Sequence, residues 1–144
     1  MPYAEISVPK NFINEKGKST LAKTVTKILI EAEGLIDNPI SQSIALLDIR
    51  EFDNLFIGGE NDNSDKVVLK IYGFSNAFCE DIKKKLFSEI TNAIIAVSDK
   101  TRSQNGRNVW CMIMPLDEFE FGVGGIPVTL EMVRQIVSVN EKSQ

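Results

Sequence analysis

The feature that most constrains the fold of this chain is an internal repeat. When the sequence is shifted by 66 residues, the Gly58-Gly59 pair falls on Gly124-Gly125, and Pro2 falls on Val68. Each half then reads strand, helix, strand and Gly-Gly turn. Two such β-α-β units with right-handed crossovers form one four-stranded mixed sheet with both helices on one face. The sequence therefore predicts an α/β (α+β) fold built from two copies of one unit.

The repeat also sets the predicted bounds of the domain. One domain spans residues 1–144, its two units cover about 2–65 and 67–130, and a short C-terminal helix or tail follows. The predicted strands are Pro2–Val8, Ile44–Ile49, Val67–Gly73 and Val109–Met114. Apolar residues at helical spacing predict the two helices; they are Leu21, Val25, Ile28, Leu29 and Ala32 in the first half, and Ile82, Leu86, Ile90, Ala93, Ile94 and Val97 in the second.

Two expectations concern the faces of this sheet. The second strand is apolar at nearly every position apart from Asp48, which predicts cover on both faces. The face of the sheet opposite the helices carries Trp110 or its neighbours, and the sequence contains no third layer to cover it. Another subunit is therefore the expected cover.

Composition excludes several classes of function. The chain has 43% apolar and 25% charged residues and a net charge of −4, a poor footprint for nucleic acid, which requires a concentrated basic face. No apolar run approaches the roughly 20 residues of a membrane span, and the N-terminus lacks the pattern of a signal peptide. Cys79 and Cys111 are interpreted as reduced core thiols. These features predict a cytoplasmic protein that binds neither nucleic acid nor membrane.

The count of zero histidines narrows the chemistry further. It excludes a Ser-His-Asp triad, a Cys-His pair and a zinc site with histidine ligands. A catalytic base must then be a carboxylate, a lysine or the terminal amine. If Met1 is removed, Pro2 carries a secondary α-amine, whose ordinary pKa of about 7.7–8.0 falls when the amine is desolvated. The alternative is that Pro2 is only a second residue that permits removal of Met1.

The strand from Val109 and the Phe121-Gly122-Val123-Gly124-Gly125 turn that follows it resemble the end of the subunit of 4-oxalocrotonate tautomerase. The duplicated β-α-β length is similar to longer members of that tautomerase superfamily, such as macrophage migration inhibitory factor. The resemblance implies that Pro2 is the general base or acid and that Phe121 keeps its pocket apolar. Trp110 stands where the bacterial enzyme has an arginine that polarises the substrate oxygen, although an aromatic residue there is equally compatible with a core or subunit interface.

The sequence also departs from that family. Its carboxylate-binding arginines lie near positions that match Phe12, Ser75 and Phe78 here, and none of these is basic. Lys70 is the first candidate for a substitute cation and Lys10 the second, although both are compatible with ordinary solvated lysines. Dehalogenation and decarboxylation, which depend on those arginines in the family, are correspondingly less favoured.

The resemblance implies a homotrimeric tautomerase that needs no cofactor and no metal. Its expected reaction is keto–enol proton transfer on a small 2-oxo acid or an aryl-enol pyruvate. The main alternative is a non-catalytic trimeric scaffold or binding protein of the same fold, because a retained Met1 would turn the Pro2 nitrogen into an amide. A ferredoxin-like regulatory domain has a related element order, but it leaves the Pro2 start and the two Gly-Gly turns unexplained.

Overall fold

The computed structural model describes residues 2–61 and 65–139; Met1 and the C-terminal tail lie outside this range. The strands are β1 (Tyr3–Val8), β2 (Leu46–Glu51), β3 (Phe56–Ile57), β4 (Glu60–Asn61), β5 (Val67–Phe74), β6 (Val109–Leu116), β7 (Phe121–Val123) and β8 (Ile126–Val128). The helices are α1 (Glu15–Ala32), α2 (Pro39–Ile44), α3 (Glu80–Val97), α4 (Asp99–Ser103) and α5 (Leu130–Val139).

The main sheet has four strands in the order β2-β1-β5-β6. Strand β1 runs parallel to β2 and β5 runs parallel to β6, while β1 and β5 pair antiparallel. In this register Tyr3 of β1 lies between Leu46 of β2 and Tyr72 of β5. The sheet confirms the predicted pair of β-α-β units and places the first strand of each unit at its centre.

Both long helices pack on one face of this sheet, as predicted. Side chains alternate along β1, so that Ala4, Ile6 and Val8 are buried while the intervening ones are not. The helices contribute the matching layer, which includes Leu21, Val25, Leu29, Leu86, Ile90 and Ile94. Helix α1 begins after Asn14, whose Oδ1 accepts from the Gly17 N–H at 2.7 Å. It ends at Ala32, and Gly34, just beyond the C-cap Glu33, has a φ of +67°, the left-handed conformation typical of residues that follow a helix.

A second, smaller core covers one end of the sheet. Helix α5 supplies Leu130, Val133 and Val137, which pack with Ile30, Leu35 and Phe74. The Asn38 side chain fixes α2 to α5, because its Nδ2 donates to the Val137 carbonyl at 3.0 Å. The Arg134 guanidinium fixes α5 to α1, because its Nη2 donates to the Glu33 carbonyl at 2.9 Å. The positive charge of Arg134 also interacts favourably with the negative C-terminal end of the α1 dipole.

The prediction for the second strand was wrong in its start and its surroundings. Residues from Pro39 to Ile44 form α2 instead, because Asn38 caps that helix and Pro39 occupies its first turn. Strand β2 then begins at Leu46 and lies at the edge of the sheet. It is covered on its helix side only, and Leu46 on the other side is 52% exposed.

The interpretation of the two cysteines as core thiols was wrong for Cys79. Cys79 is exposed at the start of α3, so it is not a core residue. Cys111 is partly buried against the main core, and this burial raises the pKa of its thiol to about 12. Both thiols are free.

The face of the sheet opposite the helices has no cover within the described part of the chain. We call it the open face; on β6 it carries Trp110, Met112 and Met114, of which Trp110 is 59% exposed. Three charged side chains form a cluster on this face, where Arg50 contacts Glu5 at 3.5 Å and also pairs with Asp48. The expectation of an uncovered aromatic face is therefore confirmed.

Gly73 allows β5 to pass close to two buried side chains. A Cβ at this position would stand 3.0 Å from Oε1 of Glu33 and would overlap the ring of Phe78. Glycine is required here by the close approach of its neighbours, not by its backbone conformation.

Replacement of Gly73 by alanine should therefore destabilise the fold. Overpacking of a filled core typically costs about 1–3 kcal/mol, and we expect Gly73→Ala to lower the free energy of unfolding in urea by that amount. Ser7→Ala, on the open face of β1, is the control and should change it little. Equal stability of the two variants would show that the site around Gly73 is looser than described.

Candidate active site

Pro2 precedes β1 and lies at the end of the sheet that the second core covers. Its side chain is buried, and its carbonyl accepts from the Leu46 N–H at 3.0 Å. Tyr3 pairs with Tyr72 across β1 and β5, so Pro2 and Gly73 are the next opposed positions along the two strands. The alternation of side chains puts the Pro2 ring on the same face as Ala4, toward the helices.

The surroundings of Pro2 at this end are mainly aromatic and aliphatic. Phe74, next to Gly73, is buried, and its ring meets that of Phe121 edge-on at a centroid distance of 6.2 Å and an angle of 80°. The Phe78 ring occupies the space where a Cβ on Gly73 would be. The structure thus places Phe121 at the Pro2 end of the sheet. An amine in such surroundings is desolvated, which disfavours its protonated form.

Glu33 is a buried acidic residue at the same end of the sheet, and the sequence did not single it out. It is the C-cap of α1 and is 0% exposed. Its Oε1 accepts from the Phe74 N–H at 3.4 Å and stands beside Gly73. A signal was present in the sequence, because Glu33 continues the spacing of four residues set by Val25 and Leu29 and so lies on the buried side of α1.

Trp110 lies away from Pro2 of the same chain. It pairs with Val68, which pairs with Ser7, five residues along the chain from Pro2. At about 3.3 Å per residue, that separation is about 17 Å. The indole is on the open face, where Lys66 Nζ lies 5.1 Å from its ring centroid.

Lys70 is also on the open face. It stands opposite Glu5, three residues from Pro2, so the two positions are about 10 Å apart along β1. Its side chain leaves the sheet on the side opposite the Pro2 ring. Within one chain the structure therefore brings Phe121 to the Pro2 end, and it does not bring Trp110 or Lys70 there.

A tyrosine pair marks the open-face side of the same end. Tyr3 and Tyr72 stack with centroids 5.4 Å apart. The Tyr3 hydroxyl donates to Oε1 of Glu5 at 2.8 Å, and this bond is the main reason that the pKa of Tyr3 is raised. Tyr3 therefore stays a hydrogen-bond donor over the physiological range.

The described ranges contain neither a metal-binding cluster nor a membrane-spanning helix. No group of three or more His, Cys, Asp or Glu side chains there is arranged to hold a metal ion. Within residues 2–61 and 65–139, no helix has the length and apolar character needed to cross a bilayer.

Comparisons of sequence find no relative, since no family model and no curated protein matches the chain. Comparisons of fold do. A fused 4-OT, the F6 wild-type asymmetric trimer, matches with a TM-score of 0.70 at 19% identity over 87% of this chain and 94% of its own. The macrophage migration inhibitory factor-like protein of Entamoeba histolytica matches with a TM-score of 0.65 at 17% identity, over 88% and 98%.

A third structure, Pt0534 inactivated by 2-oxo-3-pentynoate, matches with a TM-score of 0.66 at 11% identity over 90% of this chain and 96% of its own. All three likenesses extend over most of both chains, and they agree with the sheet order and helix placement described above. The chain therefore has the fold of the tautomerase and macrophage migration inhibitory factor superfamily.

Proposed function

We propose that this chain is a cofactor-independent tautomerase in which the Pro2 amine is the general base. The substrate is a small 2-oxo acid or an aryl-enol pyruvate, and the reaction is proton transfer between its keto and enol forms. The single observation that supports this most is the position of Pro2. It is a proline that directly follows Met1, buried at the apolar end of a central strand, in a fold shared with tautomerases.

Keto–enol proton transfer requires a base and a hydrogen-bond donor from the protein. A proton on the carbon next to a ketone is acidic because the negative charge left behind is shared with the oxygen. The neutral amine of Pro2 takes that proton and returns it at the other end of the enol. General base catalysis of this kind contributes about 10²–10⁴-fold, and a donor to the enolate oxygen adds to it.

Trp110 is the proposed donor, and it comes from a neighbouring subunit. Its indole N–H can donate one hydrogen bond, but the indole is about 17 Å along the sheet from Pro2 of its own chain. Its exposure on the open face, together with that of Met112 and Met114, supports an interface there. The solved fused 4-OT structures are described as trimers. We therefore propose a homotrimer in which two subunits complete each site.

Substrate choice follows from the side chains at the family's arginine positions. Phe12 and Phe78 are buried and apolar, and Ser75 is engaged with Asp117 through a bond of 2.7 Å. Because none of these positions supplies a positive charge, an aryl-bearing enol is favoured over a dicarboxylate. Lys70 remains the proposed anchor for the single carboxylate, from the open face that would meet the next subunit.

A non-catalytic scaffold of the same fold is the second candidate. Phe12 and Phe78 favour it, because they are part of the main core and supply no charge with which to hold a carboxylate. The two candidates differ in the reactivity of the Pro2 amine, which gives the first test.

Treatment with 2-oxo-3-pentynoate should label the amine of the mature chain. The triple bond of this compound is conjugated to a ketone, so a neutral amine adds to it and forms a new C–N bond. We expect peptide mass spectrometry to locate the adduct at Pro2 and turnover of phenylenolpyruvate to fall in proportion to labelling. Cys79→Ser is the control, because Cys79 is an exposed thiol. Labelling only at cysteine with turnover absent would favour the scaffold, and labelling only at cysteine with turnover unaffected would contradict the role of Pro2.

Trp110→Phe tests the shared site. Phenylalanine keeps an aromatic ring but removes the N–H, so the trimer should persist in sedimentation equilibrium while kcat for phenylenolpyruvate falls by about 10²-fold. Met112→Leu, two residues along the same face, is the matched control and should leave kcat near its original value. Unchanged kcat in Trp110→Phe, or a wild-type monomer at micromolar concentration, would contradict the proposed arrangement.

A further inference from the structure

A charged side chain is buried in the main fold without a place in the proposed reaction. Glu33 is 0% exposed, while the other buried polar residues in the described part of the chain are the uncharged Ser41, Ser98, Thr101 and Asn108. A carboxylate loses much hydration on burial, so it is expected to face hydrogen-bond donors or a positive charge. The groups that lie beside the Glu33 carboxylate therefore indicate what stabilises its charge.

Two contacts show where the Glu33 carboxylate lies. Oε1 of Glu33 lies within 3.4 Å of the Phe74 N–H, and it stands 3.0 Å from the point where a Cβ on Gly73 would be. The carboxylate thus fills the space on the helix side of β5 that the missing side chain of Gly73 leaves open.

Pro2 lies directly across from that space. The paired register ends at Tyr3 and Tyr72, and its continuation by one residue sets Pro2 opposite Gly73. Opposed positions in an antiparallel pair have side chains about 4.5–5.5 Å apart. Both positions are buried and both face the helices. The Glu33 carboxylate and the Pro2 ring therefore occupy adjacent places against the same pair of strands.

The position of Glu33 is fixed by its backbone as well as its side chain. Arg134 binds the Glu33 carbonyl through both Nε and Nη2, at 3.3 and 2.9 Å. Gly34 turns the chain immediately afterwards with a positive φ. These contacts hold the end of α1 against α5 and leave the side chain of Glu33 directed inward.

We infer that the Glu33 carboxylate is the counter-ion of the Pro2 amine and acts as a positioning residue for it. The inference rests on the proposed function, since the amine exists only if Pro2 is the first residue of the mature chain. When Pro2 takes a proton from the substrate, its ring nitrogen becomes positive, and an adjacent carboxylate stabilises that product of proton transfer. It also orients the remaining N–H bonds of the amine.

Two opposing influences then set the working range of Pro2. Burial at the apolar end of the sheet favours the neutral amine, whereas Glu33 favours the protonated one. Loss of the Glu33 charge should therefore lower the pKa of the amine, so that the acid limb of the pH profile moves to lower pH. The proton acceptor also becomes weaker, so kcat on the plateau should fall.

A comparison of the parent protein with a Glu33 variant requires that the other charged groups at this end of the sheet are the same in both. They are Arg134 on α5, Asp37 before α2, Glu118 after β6, and Tyr3 and Tyr72 on the open face. None of them is altered by a substitution at Glu33. Glu31, exposed on the last turn of α1, is the matched control because it carries the same charge on the outer surface.

The experiment is a titration of the Pro2 nitrogen in protein that lacks Met1 and is labelled with ¹⁵N-proline. The chain has five prolines, and the other four nitrogens are amides that do not titrate. We expect Glu33→Gln to lower the midpoint by about one unit or more, and Glu31→Gln to leave it nearly unchanged. The acid limb of kcat/KM for phenylenolpyruvate should move with the midpoint, and plateau kcat should fall by about 10-fold.

The outcomes separate this inference from the proposed function. A shifted midpoint without turnover in the parent protein would support the counter-ion and reject the tautomerase. Turnover that depends on Pro2, with identical midpoints in Glu33→Gln and Glu31→Gln, would overturn the counter-ion alone. Glu33→Asp covers the case in which Glu33→Gln does not fold. It keeps the charge but moves the carboxylate away from the amine by one methylene, so its midpoint should fall below that of the parent protein; an unchanged midpoint in that variant would also overturn the inference.

Discussion

The contact on which the rest of this structure depends is the antiparallel pairing of β1 with β5. It joins two parallel β-α-β units into one sheet, and it places the first strand of each unit at the centre. At one end of this pairing the chain needs Gly73, because Phe78 and Glu33 fill the place of a side chain. Pro2 lies across from that glycine. The crowding that restricts the sequence at Gly73 therefore lies beside the buried proline.

The sheet has two unlike faces, and they have different roles in the proposed trimer. The helix face is covered by α1 and α3, which form a continuous apolar core with it, and it needs no further cover. The open face exposes Trp110, Met112 and Met114 around a middle of charged residues. Such a face is costly in water when it is left uncovered. A site that takes Pro2 from one subunit and Trp110 from another would explain why the two are far apart within a chain.

Much of the fold could be predicted because its signals are local and repeated. The apolar stripes gave α1 and α3, and the offset between the Gly-Gly pairs gave the element order. The signals that were misread have physical reasons. Asn38 and Ser41 make a capping box that starts α2, a helix that the apolar spacing did not predict. That helix includes Ile44, the first residue of the predicted second strand.

The candidate site was predicted only in part. Pro2 and Phe121 lie at one end of the sheet because motif and strand order place them there. The proposed role of Trp110 depends on contacts between subunits. The spacing of residues within one chain gives no direct signal for such contacts. Glu33 was missed because an acidic residue in the last turn of a helix is usually solvated. Its burial depends on Gly73, 40 residues later in the chain, which makes the space for it.

The most direct test of the central claim compares two forms of the protein that differ in one residue. The form that begins at Pro2 has a secondary amine, whereas the form that retains Met1 has an amide at the same nitrogen and no base there. Turnover of phenylenolpyruvate should be present in the first form and abolished in the second, with the fold of both intact by circular dichroism. Pro2→Ala, which retains a primary amine at the terminus, should keep partial activity. Equal turnover by the Met1-bearing form would contradict the account.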